Sequence, residues 1–290
     1  MGIGILEAHV LLGKEQKEIE MLTSSKELQQ IIKANGLRKV YVENDRTAVS
    51  MIQEVFYQFK ESPDYIIIAH SLPYLMGKDK LCANMRKIPL INMSGTPCCI
   101  MHQAVQNAVE LIKNKRYRKI LIIGADKCYA NYERIFFGTA MSDSVVGIML
   151  SDSRENDIIC GTKLNTWIIA SNGVYSEEDT IKRFRRSNAT FIKNIIFECL
   201  EENGFALSDL EYVICHTSNQ GIWDQVSVLT KIPRSNFLDI NITQTGHMNS
   251  NDSFYHYMNL KERGIIKQGK LVALVNPGFG GSQGCTLIRS

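Results

Sequence analysis

The chain has no long apolar run and little excess of either charge. No stretch approaches the ~20 apolar residues that a membrane-spanning helix needs. The first residues, Met1 to His9, lack the basic and apolar regions of a signal peptide. The net charge of the 290 residues is +3, which is too small to indicate a protein that binds nucleic acid or a membrane surface. We therefore expect neither kind of partner.

Regular cysteine spacing is also missing. The chain contains eight cysteines, but they form no CxxC pair and no repeated framework. This pattern is typical of a reducing compartment and argues against a disulfide scaffold or a zinc site. We expect a cytoplasmic protein without a bound metal. The eight positions are Cys82, Cys98, Cys99, Cys128, Cys160, Cys199, Cys215 and Cys285.

One stretch in the first half combines a strand pattern with a helix pattern around a cysteine. The apolar run Ile88–Asn92 predicts a buried strand, and the segment Cys99–Ile112 has apolar residues at helical spacing. Cys98 therefore lies at a predicted helix N-terminus, where backbone N–H groups and the helix dipole favour a thiolate. The structural alternative is a small buried hydrophobe, which is the commoner role of a free cysteine.

The element order of the first half recurs in the second. Four segments of the second half, 211–218, 237–247, 270–275 and 284–288, match 64–71, 88–98, 119–123 and 146–150. The match predicts an internal duplication, with an N-terminal half at 1–155 and a C-terminal half at 156–290. It predicts an α/β fold of two related halves whose sheets are covered by helices.

The remaining elements follow from local periodicity. Helices are predicted at 15–35, 47–61, 188–203 and 253–263, and strands at 2–12 and 39–42. The segment 136–143, which contains glycine and serine, is predicted to be a loop. These boundaries are less certain than the order of the elements.

The duplication gives Cys98 two histidine neighbours. Cys98 and His247 take equivalent positions, each between a strand and a helix, and His216 follows an adjacent strand. Strand ends from the two halves would face each other across a pseudo-twofold axis. A thiol needs a base or a cation to act as a nucleophile, so the sequence predicts an active site here. Cys99 remains a rival nucleophile, whereas His70 and His102 are expected to be structural.

Four segments in order resemble motifs of the thiolase-fold condensing enzymes, most closely the ketoacyl-synthase III group. Residues 136–146 resemble the "FGDGAGA" turn, and residues 216–219 (HTSN) resemble the "HQAN" motif. Residues 264–272 are similar to "GRIKPGQLV", and residues 278–284 resemble the C-terminal glycine loop. The resemblance runs from about Lys39 to Ser290. It implies a thiolase-like fold with layers in the order helix, sheet, helix, sheet, helix.

The resemblance also implies roles for single residues. Cys98 matches the cysteine that accepts the acyl group, and His216 matches the histidine of the catalytic pair. His247 stands where the group usually has asparagine. Asp252 follows it and is expected to orient it, with a helix N-cap as the structural alternative.

The resemblance implies further binding groups around these side chains. The backbone N–H groups of Cys98 and Gly280 would form an oxyanion hole. Asn219 and Asn249 are candidate substrate-binding residues, and Asn249 could replace the missing asparagine.

The acyl donor would be a thioester on phosphopantetheine, carried by an acyl carrier protein or coenzyme A, with no other cofactor. The chain before Lys39 is short, and its only tryptophans are Trp167 and Trp223. The group's segment that binds the adenine of coenzyme A is therefore not evident, which favours a carrier protein. The basic run Arg183–Arg186 could meet an acidic carrier protein or be solvated surface. The resemblance further implies a homodimer.

The sequence supports two activities almost equally. One is acyl transfer, through an acyl-Cys98 intermediate, to a small-molecule acceptor in secondary metabolism. The acceptor would be an alcohol, an amine or a carbon nucleophile. The other is decarboxylative Claisen condensation, as in 3-oxoacyl synthases III of fatty-acid or polyketide synthesis. His247 and Asp252 favour the first. A non-catalytic partner subunit is disfavoured because the cysteine and both histidines occur together.

Overall fold

The computed structural model describes residues 2–72, 81–154, 156–167, 169–170, 172, 175–238 and 242–290. The helices among these residues are α1 Lys26–Ala34, α2 Ala48–Phe56, α3 Ala83–Arg86, α4 Ile100–Lys113, α5 Asn131–Arg134, α6 Glu178–Glu202, α7 Gly221–Thr230, α8 Ile242–Thr245 and α9 Asp252–Glu262.

The strands among the described residues are β1 Gly2–Leu12, β2 Glu15–Glu18, β3 Lys39–Val42, β4 Tyr65–Ala69, β5 Leu90–Met93, β6 Lys119–Asp126, β7 Ile135–Phe136, β8 Thr139–Ala140, β9 Ser144–Arg154, β10 Ile158–Thr166, β11 Leu210–Cys215, β12 Phe237–Leu238, β13 Leu271–Pro277 and β14 Ser282–Arg289.

The large sheet repeats one strand order in its two halves. In the described part of the chain the order is β12-β11-β13-β14-β10-β1-β9-β6-β4-β5. From the centre to one edge the strands are β1-β9-β6-β4-β5, and from the centre to the other edge they are β10-β14-β13-β11-β12. Corresponding neighbours in the two halves pair in the same direction, first antiparallel and then parallel. The halves meet at the pair Gly4 and Ile158. The repeated order agrees with a duplication, and the boundary after residue 155 stays a prediction.

Three clusters of buried apolar side chains give the layers. One cluster joins α4 and α9 to both halves of the sheet. A second packs α6 and α7 on the outer face of the C-terminal half, and a third packs α2 and α3 on the outer face of the N-terminal half. The fold is therefore the expected α/β arrangement of helix, sheet, helix, sheet and helix. No helix among the described residues is both long and apolar enough to cross a membrane.

Several local predictions were wrong, and tertiary contacts explain them. Residues 15–35 are not one helix, because β2 pairs with β3 and α1 begins only after Ser25, whose hydroxyl accepts a hydrogen bond from the Leu28 N–H. The 136–143 loop belongs in part to the β7–β8 pair. Helix α6 begins at Glu178 rather than near residue 188. Residues 239–241 of the strand predicted from Phe237 lie outside the described residues.

Strand β10 and helix α7 are the longest elements that the sequence analysis did not predict. Strand β10 carries polar and glycine residues that hide its period, and it is the C-terminal counterpart of β1. Helix α7 follows the HTSN motif and buries Trp223 and Val226 against the C-terminal half.

The topology brings chemically active side chains to one edge. Strands β4, β5 and β6 are parallel, as are β11, β12 and β13. Cys98, His216 and His247 all follow the carboxyl ends of such strands, where open α/β sheets commonly bind ligands.

Candidate active site

Cys98 occupies a turn between β5 and α4 that is unfavourable for a residue with a side chain. Its φ is 61°, in the left-handed region, and Cys99 is the N-cap of α4. A non-glycine residue held there stores about 1–3 kcal/mol of strain. The glycine loop lies against this turn, because a Cβ on Gly278 would come within 2.2 Å of the Pro97 carbonyl oxygen. The backbone of the Cys98 turn is thus held between two segments, and the Cys98 side chain is half-buried.

His247 is held beside Cys98 by its backbone. Its N–H donates to the Ala140 carbonyl at 2.9 Å, and its own carbonyl accepts from the Ser142 N–H at 2.8 Å. The preceding Gly246 has a φ of +63° and no room for a Cβ beside Val40. These constraints bring His247 Nε2 to 3.8 Å from Cys98 Sγ.

Asp252 completes a chain of polar contacts from the cysteine. Its buried carboxylate lies 2.7 Å from His247 Nδ1. The same carboxylate accepts from the backbone N–H groups of Thr217 at 2.9 Å and Met248 at 2.7 Å. Burial opposes its ionisation, but the facing charge and hydrogen bond of His247 hold the pKa of Asp252 well below its usual range. Asp252 therefore fixes the proton of His247 on Nδ1 and leaves the Nε2 lone pair facing the thiol.

His216 lies next to His247 and faces the same carboxylate. The ring centroids are 4.4 Å apart, and His216 Nε2 is 3.7 Å from the Asp252 carboxylate. Among the described residues, Nε2 has no hydrogen-bond partner although the side chain is buried. Ser218 Oγ lies 3.1 Å from its Nδ1. Burial, together with the neighbouring His247, lowers the pKa of His216 to about 3, so the ring is neutral.

The cysteine is a neutral thiol in this geometry, contrary to the expectation of a thiolate. Burial raises the pKa of Cys98 well above its usual value, and the nearby Cys99, Asp252 and Asp126 add to the effect. A hydrogen bond from the Phe279 backbone opposes it without reversing it. Desolvation outweighs the helix dipole here. The nearest ring nitrogen to this thiol sulfur among the described contacts is His247 Nε2, at 3.8 Å.

The backbone groups predicted to form the oxyanion hole have other contacts in this structure. The Cys98 N–H is present in the site, but it donates to Ser71 Oγ at 3.2 Å. In the glycine loop it is the backbone of Phe279, one residue before Gly280, that reaches Cys98 Sγ. The role of Gly280 stays a prediction.

The two asparagines lie outside the described contacts of the catalytic group. Asn219 Oδ1 accepts from the N–H of Gly221, the first residue of α7, at 2.8 Å. Asn249 is buried, and its Nδ2 has no partner among the described residues. Their proposed contact with substrate stays a prediction.

The other candidates are structural. Cys99 is buried, its Sγ donates to the Asn276 carbonyl at 3.1 Å, and burial raises the pKa of its thiol far above the usual value. His102 Nδ1 lies 2.8 Å from Thr286 Oγ1 inside the core, and burial lowers its pKa to about 4. His70 contacts the Leu72 carbonyl at 2.7 Å.

Asn276 is a residue of the site that the sequence did not reveal. It lies at the end of β13, and its amide donates to the Cys98 carbonyl at 2.8 Å and to the Ser250 carbonyl at 3.1 Å. It therefore ties the nucleophile turn to the segment that follows His247. A polar residue ending a buried strand, directly before the glycine loop, was the available signal.

Asp143 lies at the end of the segment that was predicted to be a loop, and it is buried. It forms a buried pair with Arg134, in which Arg134 Nη2 donates to Asp143 Oδ2 at 2.7 Å and Nη1 donates to Oδ1 at 2.8 Å. Asp143 further accepts from the N–H groups of Glu43 and Cys128. The pair anchors the 139–143 segment that holds the His247 backbone.

Comparison with known proteins finds one family of relatives. A family model described as the C-terminal region of 3-oxoacyl-[acyl-carrier-protein] synthase III matches residues 200–290. The β-ketoacyl-[acyl-carrier-protein] synthase III of Fusobacterium nucleatum is 22% identical over 264 residues, which are 79% of this chain and 78% of the relative.

Solved structures establish the fold. The 3-oxoacyl-[acyl-carrier-protein] synthase III of Aquifex aeolicus superimposes with a TM-score of 0.83 at 18% identity and covers 100% of both chains. An acyltransferase, ChlB3, superimposes with a TM-score of 0.81 at 14% identity and covers 100% of this chain and 98% of its own. Both the layered architecture and the duplicated strand order are those of the thiolase fold.

Proposed function

The chain is a thiolase-fold protein similar to the ketoacyl synthases III, and we propose that it is an acyl-transferring enzyme that works through an acyl-Cys98 thioester. The observation that carries the proposal is the continuous path from Cys98 Sγ through His247 to the Asp252 carboxylate, with separations of 3.8 and 2.7 Å. A nucleophile, a base and a group that orients the base are the parts that covalent acyl transfer requires.

The first step loads the acyl group. Cys98 Sγ attacks the carbonyl carbon of a thioester while its proton moves to His247 Nε2, and Asp252 stabilises the resulting imidazolium. The carbonyl oxygen gains negative charge and is met by backbone N–H groups, of which that of Cys98 is one once Ser71 Oγ gives way. The carbon–sulfur bond to the donor then breaks, and the departing thiolate takes the proton from His247.

The second step that we propose is decarboxylative condensation. The named relatives are synthases, which favours this reaction over the transfer that His247 and Asp252 first suggested. A malonyl-type thioester would lose carbon dioxide, and its enolate oxygen needs hydrogen-bond donors. His216 Nε2 is buried and unpartnered among the described residues, so a neutral His216 with its proton on Nε2 could donate there. The carbanion then attacks acyl-Cys98, and the thiolate leaves.

Transfer to a hydroxyl or amine is the second candidate. It is favoured by the Asp252–His247 pair, which has the arrangement of a general base, and a structural neighbour is named as an acyltransferase. In this reaction His247 Nε2 takes the proton of the acceptor, and the acceptor's oxygen or nitrogen displaces Cys98.

The donor and the assembly are proposed from the resemblance. The donor is a phosphopantetheine thioester on an acyl carrier protein, with coenzyme A as the alternative. Arg183, Arg185 and Arg186 are exposed on α6, and Arg185 lies over the Phe137 ring at 4.5 Å to its centroid. These charges suit an acidic carrier. A homodimer and a cytoplasmic location complete the proposal.

The two second steps are separated by their products. The enzyme is first loaded from an acyl-carrier-protein thioester and then given malonyl thioester labelled at its free carboxyl group. Condensation predicts release of labelled carbon dioxide and a product lengthened by two carbons, both lost in Cys98→Ala and retained in the control Cys160→Ser. Loading of Cys98 without labelled carbon dioxide, followed by transfer to an added alcohol or amine, would replace the condensation proposal with the second candidate.

A further inference from the structure

Three soft ligand atoms converge at the catalytic centre. Cys98 Sγ, one ring nitrogen of His216 and one of His247 all lie within 4.8 Å of one another. Thiolate sulfur and imidazole nitrogen are the donors that Zn²⁺ prefers, and three protein ligands with one open position are common in its reactive sites. The set was not evident from cysteine spacing, because its members come from both halves of the chain.

The separations are close to those of a tetrahedral site. Zn–S and Zn–N distances of about 2.3 and 2.0–2.1 Å place sulfur and nitrogen ligands about 3.6 Å apart. Cys98 Sγ and His247 Nε2 are 3.8 Å apart. The largest separation, 4.8 Å at most, must shorten by about 1 Å. Rotation of the half-buried Cys98 side chain can adjust the two separations that involve Sγ, and a small tilt of the imidazole rings adjusts the third.

The groups behind the two rings fit metal ligation. His247 Nδ1–H donates a hydrogen bond to the Asp252 carboxylate at 2.7 Å, which leaves the Nε2 lone pair directed toward the cysteine. A carboxylate behind a ligating histidine is a usual feature of zinc sites. Behind His216, Ser218 Oγ at 3.1 Å can either donate or accept, so Nε2 can present a lone pair.

Two further features support occupation. His216 Nε2 is buried without a hydrogen-bond partner among the described residues, a cost that a bound cation removes. The charges also balance, because Zn²⁺ with the Cys98 thiolate carries +1 and the adjacent Asp252 carboxylate carries −1. Binding releases one proton, that of the Cys98 thiol, to solvent.

We propose that Cys98, His216 and His247 form a reversible binding site for a thiophilic divalent cation such as Zn²⁺, which blocks the nucleophile when bound. The metal occupies the Sγ lone pair that would attack a thioester. The binding itself needs no acyl substrate, and only its inhibitory consequence rests on the proposed function.

The test uses Co²⁺ as a spectroscopic probe on the intact protein without substrate. We expect a thiolate-to-cobalt charge-transfer band, tetrahedral d–d absorption and displacement of both by Zn²⁺. The charge-transfer band should vanish in Cys98→Ala and persist in the matched control Cys160→Ser. Mg²⁺, which prefers oxygen ligands, should not compete. Thermal melting of each variant confirms that it is folded.

A second arm measures affinity and protection. Asp252→Asn should weaken Zn²⁺ binding about 10–100-fold, as loss of a carboxylate behind a ligand does. Zn²⁺ should also slow alkylation of Cys98 by iodoacetamide, and a chelator should restore it. Absence of a charge-transfer band that depends on Cys98, or equal Zn²⁺ affinity of Cys98→Ala and the unmodified chain, would overturn the site. Because no acyl donor is present, either result leaves the proposed acyl transfer to its own test.

Discussion

Replacing Asp252 by asparagine should slow acylation of Cys98 while leaving the fold in place. In the structure the Asp252 carboxylate accepts from His247 Nδ1 and from two backbone N–H groups, and it faces His216 at 3.7 Å. An amide of the same shape can keep one of the two backbone hydrogen bonds. It has no negative charge for an imidazolium, and the orientation that keeps the Met248 hydrogen bond turns its NH₂ group toward His247 and stabilises the wrong tautomer. The expected loss is about 10²–10⁴-fold in the acylation rate, the range seen for loss of a base or of its orienting carboxylate.

The assay is rapid mixing with an acyl thioester, followed by intact-mass analysis of the acyl-protein. The low pKa of Asp252 keeps the carboxylate ionised at every pH above its ordinary range, so the loss should be the same at pH 6 and pH 8. Asp224→Asn, at an exposed pair with Arg234, is the matched control and should change the rate little. A rate for Asp252→Asn within about threefold of the unmodified chain would refute the base role of the Cys98–His247–Asp252 path.

The remaining predictions concern the same edge of the sheet. His216→Ala should leave the rate of Cys98 loading within about tenfold but lower the rate of the second step by about 10²–10³-fold, because the His216 donor acts only on the oxyanion that develops in that step. Single-turnover measurements on preloaded protein separate the two steps. Equal losses of rate in both steps would contradict the division of roles. Gly246→Ala should lower the free energy of unfolding by about 1–3 kcal/mol, since φ is +63° and a Cβ would lie 2.8 Å from Val40 Cγ1. Urea denaturation measures the loss, and the control is Gly269→Ala, where a Cβ would meet open space. An equal loss in both variants would contradict the role of the Val40 contact. Arg134→Met should lower the free energy of unfolding by about 3–5 kcal/mol because it leaves the Asp143 carboxylate buried without its partner. The double variant that also carries Asp143→Leu should recover much of this loss. A double variant as unstable as Arg134→Met alone would contradict the pairing.

The carboxylate at Asp252 also makes stability depend on pH in a defined direction. Its folded-state pKa is lowered, so its contribution to stability is fully present above the ordinary value of about 3.9 and is lost as the pH falls through and below that value. Removal of the carboxylate in Asp252→Asn should flatten the acid limb of the unfolding curve.

The sequence predicted most of the strands that repeat, and it missed elements whose local pattern had no recognisable copy. Strands β4, β5, β6 and β9 have counterparts at the equivalent positions of the second half, which are β11, β12, β13 and β14. The second copy of each weak local pattern therefore supported the prediction of the first. Residues 15–35 have no such copy, and pairing of β2 with β3 overrode a helical composition. Strand β10 escaped because its burial depends on neighbours from both halves.

The same reasoning explains what was predictable at the site. Cys98 and His247 take equivalent positions in the two halves, and His216 follows a neighbouring strand. These positions were enough to predict that the three side chains lie close together, and in the structure Cys98 Sγ is 3.8 Å from His247 Nε2. The protonation of Cys98 was not predictable, since desolvation depends on how closely the glycine loop and the second half cover the turn. Nor were the contacts of Asn276 and Ser71, which join residues far apart in sequence.

The central claim is that Cys98 carries the acyl group, and trapping of the acyl-protein tests it most directly. The protein is mixed with an acyl-carrier-protein thioester, quenched in acid and digested, and the modified residue is located by mass spectrometry. The account predicts one thioester-linked acyl group on the peptide that contains Cys98 and Cys99, placed by fragmentation on Cys98, absent from Cys98→Ala and present in Cys99→Ala. An adduct that survives Cys98→Ala, or none with any acyl thioester supplied, would contradict it.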